Sequence, residues 1–147
     1  HEVGFAVAPE ARPAVALELT RHLAAATGSR PTPAAEADYV IARGPFARGL
    51  LAGLKRGSPA FPDDSATLLL LVPDLAAAAP APAVALTGPG IPGMLPLRLV
   101  GLSAENLAER RAANAEVPRG VDLLLVDAAG RVLCLPRTTR IDAGDGE

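Results

Sequence analysis

Two apolar runs, VDLLLV and RVLCLP, lie almost end to end within Pro118–Ile141 and are separated by DAAG. Asp127 is suited to open a turn by accepting from its own following backbone, and Gly130 supplies the positive φ that closes it, so the pattern predicts a β-hairpin. The runs are apolar on successive residues, which predicts strands covered on both faces. Arg137, Thr138, Thr139 and Arg140 follow at once, so the hairpin leads into a polar, donor-rich end of the kind where α/β sheets hold ligands or partners.

Upstream, apolar and polar positions predict the remaining elements in order. Residues 1–12 begin without a cap or turn and read as a segment joined mid-domain. Val15, Leu19, Leu23 and Ala26 recur at helical spacing, with Glu18, Arg21 and a solvated His22 opposite. They predict a helix over Ala14–Gly28, with Pro13 in its first turn and Gly28 past its end. After a loop, Asp38–Arg43 reads as a strand and Phe46–Gly57 as a second helix. In that helix Gly49 and Gly53 would allow close packing on a sheet, at about 1 kcal/mol of helix propensity each. Thr67–Val72 is a strand entered through a Pro-rich loop. A low-complexity connection (73–82) leads to strands at Ala83–Gly88 and Pro96–Gly101. Ser103 caps a third helix running to Glu116, with Glu105 in its first turn and Arg110 and Arg111 on a solvated face. The sum is a single-domain α/β protein: a mixed sheet of about six strands with helices on both faces, three layers in all.

Composition narrows the functional classes. The chain has 147 residues, half of them hydrophobic but only 3% aromatic, so the core is built from Leu, Val and Ala. A net charge of −2 argues against a nucleic-acid or anionic-membrane surface. No apolar run reaches the ~18 residues of a membrane span and no signal-peptide pattern opens the chain, so it reads as cytoplasmic. The single cysteine, Cys134, reads as core packing. Thirteen of the fourteen basic residues are arginines, so any lysine chemistry must run through Lys55.

Candidate chemistry is sparse. Asp63 and Asp64 could form an acid/base or metal pair, as in a stand-alone hydrolase, but turn chemistry explains them more simply. Gly88, Gly90 and Gly93 make a backbone-rich loop that could cradle a phosphate, although it lacks the Lys and Ser of a P-loop. Arg137 could clamp a phosphonate, with Thr138 and Thr139 completing the shell. Its structural alternative is an ion pair with Asp122 or Asp127. No metal site and no Ser–His or Cys–His arrangement is apparent.

RGVDLLLVDAAGRVLCLPRTTR resembles the C-terminal signature of the PhnH-type subunit family of bacterial carbon–phosphorus lyase. GSPAFPDDSATLLLLV and ALTGPGIPG resemble the same family in the same order, and the likeness runs from about Val15 to Ile141. It implies a fold similar to the large domain of pyridoxal-phosphate-dependent transferases. Lys55 offers no credible Schiff-base position, so no pyridoxal phosphate or other cofactor is expected. It also implies a core complex with PhnG-, PhnI- and PhnJ-like subunits, in which phosphonate is coupled to the ribose of a nucleoside triphosphate and then cleaved by a radical step on an iron–sulfur subunit. One cysteine cannot hold such a cluster. The expected role is a non-catalytic, homodimeric scaffold. The alternative is a phosphonate- or nucleotide-binding subunit contributing to ribose phosphonate formation, using Gly88, Gly90, Gly93, Asp122, Arg137, Thr138 and Thr139. Family members usually begin with a further helix ending in an AMxxPG-like motif, which has no counterpart here; a shortened N-terminus is the expectation.

Overall fold

The computed structural model describes residues 3–8, 12–76 and 81–143. In chain order its elements are β1 (Gly4–Val7), α1 (Pro13–Thr27), β2 (Arg30–Pro31), β3 (Tyr39–Arg43), a 3-10 turn (Leu51–Gly53), β4 (Thr67–Val72), β5 (Ala83–Thr87), β6 (Leu95–Arg98), α2 (Ala104–Ala113), β7 (Asp122–Asp127), β8 (Val132–Leu135) and β9 (Arg140–Ala143). Six strands form a mixed sheet in the order β2-β1-β3-β4-β7-β8, and β6-β5-β9 form a second, three-stranded sheet. The large sheet is parallel from β2 to β7, and β8 returns antiparallel as the expected hairpin.

Pairing register builds the core. Leu68 and Leu70 stand opposite Leu123 and Leu125 on one side and Val40 and Ala42 on the other, so their side chains share one face. That face is closed by Val84, Leu86 and Ile141 of the small sheet, Ala113 of α2, and Leu51, Leu54, Leu99 and Leu102 from the connections. Helix α1 lies on the opposite face against β1 and β2, where Leu23 shares a groove with Phe5, Ile41 and Leu69. Among the described residues no helix is long and apolar enough to cross a membrane.

The hairpin turn is held by one carboxylate. Asp127 Oδ1 accepts from the amides of Ala129 (2.9 Å) and Arg131 (3.0 Å), while Oδ2 accepts from the Leu75 amide (3.0 Å) and Arg131 Nε (2.7 Å). Gly130 takes the expected positive φ of 78°.

Several expectations are corrected. The six strands of the large sheet are not the six expected. β1 and β2 come from segments read as a joined start and a loop, while β5 and β6 leave to pair with β9. Strands of two to four residues are too short to carry a readable period. Phe46–Gly57 is not a helix: Gly49 has φ 87°, outside the right-handed helical region, and only a short 3-10 turn follows. A Cβ on Gly49 or Gly53 would meet nothing within 4 Å, so neither packs on the sheet. Helix α2 ends at Ala113 rather than Glu116. Among the described residues the hairpin is covered on one face only, because no residue of α1 is buried and none of its packing reaches β7 or β8. Leu124 and Val126 are half-buried there, while Val132 and Cys134, directly opposite them on β8, are exposed. Cys134 is therefore not a core residue.

Close backbone approach occurs elsewhere. A Cβ on Gly44 would fall 2.1 Å from the Gly101 carbonyl oxygen, which belongs to rigid backbone. Gly44→Ala is expected to destabilise by about 1–3 kcal/mol, against a gain of about 0.4–1 kcal/mol for Gly53→Ala, compared by urea unfolding midpoints. Equal midpoints for the two variants would contradict this packing. A second expectation concerns acid. The Leu75 amide, opposed by burial and reinforced by the Arg131 amide and guanidinium, holds the Asp127 carboxyl down to about 2. A folded value below the unfolded one of ~3.9 means that this stabilisation is complete above pH ~4 and is lost as pH falls towards 2. Asp127→Asn should remove that acid-dependent step from urea midpoints measured against pH, and an unchanged pH profile would refute the assignment.

Candidate functional site

Helix α2 organises the polar chemistry. The Ser103 hydroxyl accepts from the Asn106 amide at 3.1 Å and the Asn106 side chain accepts from the Ser103 amide at 3.2 Å, a reciprocal capping box. The buried residues of the helix are Asn106, Arg110 and Ala113, so it turns a partly polar stripe inward. Asn106 donates to the Phe46 carbonyl at 2.9 Å. Glu109 accepts from the amides of Gly49, Leu51 and Ala52 at 3.0, 2.7 and 3.3 Å. These bonds satisfy the free amides at the start of the 3-10 turn and tie it to α2.

Arg110 reaches the other way. Its Nη1 donates to the Thr139 carbonyl at 3.1 Å and its Nη2 to those of Pro136 (2.7 Å) and Leu135 (3.3 Å). Asn114 then clasps Val121 by both backbone groups, accepting from its amide at 2.8 Å and donating to its carbonyl at 3.2 Å. One helix thus fixes both the entry of the hairpin and its exit. Desolvation pushes the Arg110 guanidinium down to about 10, with the charge of Asp122 opposing that shift, and it stays protonated at neutral pH. Arg110 is 3% exposed, so the expectation of a solvated face fails for this residue.

Most sequence-predicted residues are brought together. Arg137 pairs with Asp122: Nη2 and Nε donate to its carboxylate at 2.6 and 3.3 Å, and the Arg137 amide donates at 2.6 Å. Nη1 donates to the Pro62 carbonyl. The ion-pair alternative therefore describes Arg137, with Asp122 rather than Asp127 as partner, and its guanidinium is already committed. Gly88 backs the following turn, since a Cβ there would lie 3.1 Å from the Thr138 carbonyl and 3.3 Å from Thr139 Cα. Gly90 and Gly93 meet nothing within 4 Å and shape the loop away from that turn.

A cavity of about 320 Å³ opens between α2 and residues 137–142, lined by Arg110, Arg111, Asn114, Thr138, Thr139 and Arg140 among others. It lies beside Asp122, at the amino end of β7, because the antiparallel return of β8 carries the basic turn back there. The carboxyl ends of the parallel strands, the usual ligand position, carry instead a separate cavity bounded by Gly44, Val72 and Asp127.

Lys55 lies between Asp38 (2.6 Å) and Asp64 (3.0 Å). Burial would lower its pKa, but the two carboxylates outweigh it and raise the value, favouring the ammonium form. A Schiff-base lysine needs the opposite, so this residue does not fit pyridoxal phosphate. Asp64 serves that ion pair. Among the described residues no group of three or more His, Cys, Asp or Glu is placed to hold a metal ion.

A model of the family described as bacterial phosphonate metabolism protein (PhnH) matches residues 1–142. The chain belongs to the PhnH family. Two relatives carry related names. A protein of Stutzerimonas stutzeri named as a putative C-P lyase subunit, HtxG, is 36% identical over 115 residues, covering 78% of this chain and 56% of the relative. The PhnH subunit of alpha-D-ribose 1-methylphosphonate 5-triphosphate synthase from Rhizobium meliloti (strain 1021) is 38% identical over 86 residues, covering 58% of this chain and 41% of the relative. The chain thus spans about half the length of the curated relatives it matches.

Sequence reasoning missed Glu109, Arg110 and Asn114 as positioning residues here. The signal was present as the spacing of Asn106, Arg110 and Ala113, but polar residues on the inward face of a helix escape a search for apolar stripes. Arg137→Ala takes the guanidinium from Asp122 and the Pro62 carbonyl, leaving Asp122 only the backbone amide of residue 137, and is expected to destabilise by about 1–3 kcal/mol. Arg140→Ala, at an exposed position, is expected to stay within ±0.5 kcal/mol. Urea unfolding checks both, and equal losses would contradict the pairing.

Proposed function

We propose that this chain acts in phosphonate catabolism as a non-catalytic, dimer-forming subunit of a carbon–phosphorus lyase assembly in the cytoplasm. PhnG-, PhnI- and PhnJ-like subunits are its partners. The observation that carries the reading is the PhnH family match over residues 1–142, joined by relatives named as subunits of C-P lyase and of a ribose methylphosphonate triphosphate synthase. On this reading the domain is a reduced relative of the large domain of pyridoxal-phosphate-dependent transferases, with the scaffold kept and the lysine chemistry gone. Lys55, held between two carboxylates, supports that view.

The half-covered face supports the scaffold role. Leu69, Leu71, Leu124 and Val126 are half-buried, and Val132 is 56% exposed beside them on the edge strand. We assign this face to a second copy of the chain. An isologous contact there covers Val132 of both copies, so Val132→Glu places two carboxylates in an apolar interface. That substitution is expected to weaken the dimer by roughly 2–5 kcal/mol while leaving the monomer's melting temperature unchanged. Light scattering and co-purification with the co-expressed PhnG-, PhnI- and PhnJ-like subunits provide the test. A wild-type protein that stays monomeric and fails to co-purify would overturn the reading.

A further inference from the structure

We propose that the cavity between α2 and the 136–142 segment is a binding site for a phosphoryl or phosphonyl oxyanion, seated on Arg110, Arg111 and Arg140. Arg110 is 3% exposed and lines the cavity. All three of its hydrogen bonds go to neutral carbonyls, and its Nε is buried without an acceptor among the described residues. A buried charge is ordinarily paired, because an unpaired donor and an uncompensated cation both carry a desolvation penalty. The carboxylate whose charge acts on it, Asp122, is bound to Arg137. Arg110 therefore places a buried positive charge in the cavity wall with no carboxylate of its own among the described residues.

The rest of the wall matches that need. Arg111 makes one long hydrogen bond, 3.4 Å from Nη2 to the Ile141 carbonyl, and is otherwise exposed. Arg140 is exposed and has no ion pair among the described residues. With Arg137 committed to Asp122, three arginines face one carboxylate, Asp142, leaving an excess of about two positive charges around the cavity. Two charges and several N–H donors suit a phosphoryl or phosphonyl dianion better than a carboxylate, and guanidinium groups bind such oxygens bidentately. Thr138 adds a hydroxyl on the exposed rim. The volume of about 320 Å³ falls at the lower end of the ~300–1,000 Å³ range of small-molecule sites, enough for the anionic head and a small substituent. Arg137, the residue that draws attention in the sequence, is thus the support of the site, and its neighbours carry the charge.

This inference deepens the phosphonate-subunit reading, and rests on it only for the choice of probes. Isothermal titration of the full chain with inorganic phosphate, methylphosphonate and ATP tests it without any partner subunit. Saturable binding of at least one probe is expected, weakening as salt is raised. Arg140→Ala and Arg111→Ala should each reduce affinity about tenfold, and Arg98→Ala, on β6 outside the cavity, should not change it. The Arg110 Nε–H resonance should shift on titration of the bound probe. Equal binding of phosphate and methylphosphonate would identify the head group as what is read, and binding of ATP alone would identify a polyphosphate. No saturable binding of any probe, or affinity unchanged in both Arg111→Ala and Arg140→Ala, overturns the proposal. Either result leaves subunit assembly untouched, and a monomeric, non-assembling protein that still binds these anions would sink the scaffold reading instead.

Discussion

The in-register parallel pairing of β4 with β7 is the constraint on which the rest of the molecule depends. It sets Leu68 and Leu70 beside Leu123 and Leu125, and the small sheet, the 3-10 turn and the connections all close over that apolar strip. A slip of β7 by one residue would turn Leu123 and Leu125 to the half-covered face and Asp122 towards the core. Asp122 would then lose Arg137, and the turn that shapes the cavity would lose its anchor. Core register and site geometry are therefore one specification rather than two.

Side chains that bind backbone do much of the remaining work. Asp127 ties the hairpin turn to the loop after β4, Glu109 gathers three amides, Asn114 mimics a strand partner for Val121, and Arg110 gathers three carbonyls. Each meets groups that the short elements leave without partners. A protein with only 3% aromatic residues and strands of two to six residues relies on such clasps where a larger core would rely on packing.

What was legible in the sequence follows from the same physics. Thr67–Val72 was readable to the residue because six apolar or β-branched positions stand between turn signals. The hairpin turn was readable because Asp127 and Gly130 each have a specific backbone task. The strand Gly4–Val7 was not, because four residues carry no period and its neighbours lie distant in sequence. The strand Arg140–Ala143 was hidden because its four residues are too few to show their alternation and it follows directly on a basic turn. The Gly49 and Gly53 spacing suggested a packed helix, yet Gly49 was there for its positive φ. At the site, the Thr138–Thr139 turn, Gly88 and the Asp122–Arg137 pair were visible, while Arg110 was read as solvated because nothing in a single sequence reports which way a helix faces.

The order of the strands has a further consequence, for synthesis. β4 lies in the middle of the sheet, yet its neighbour β7 begins fifty residues later in the chain, and β9 must return to β5 across a similar span. While the ribosome adds that intervening length, the leucine-rich edge of β4 has no strand to pair with. Exposed edges of this kind invite association with other chains. The nascent protein thus passes through an interval in which its central strand is its outermost one, and that interval ends when the hairpin emerges and docks.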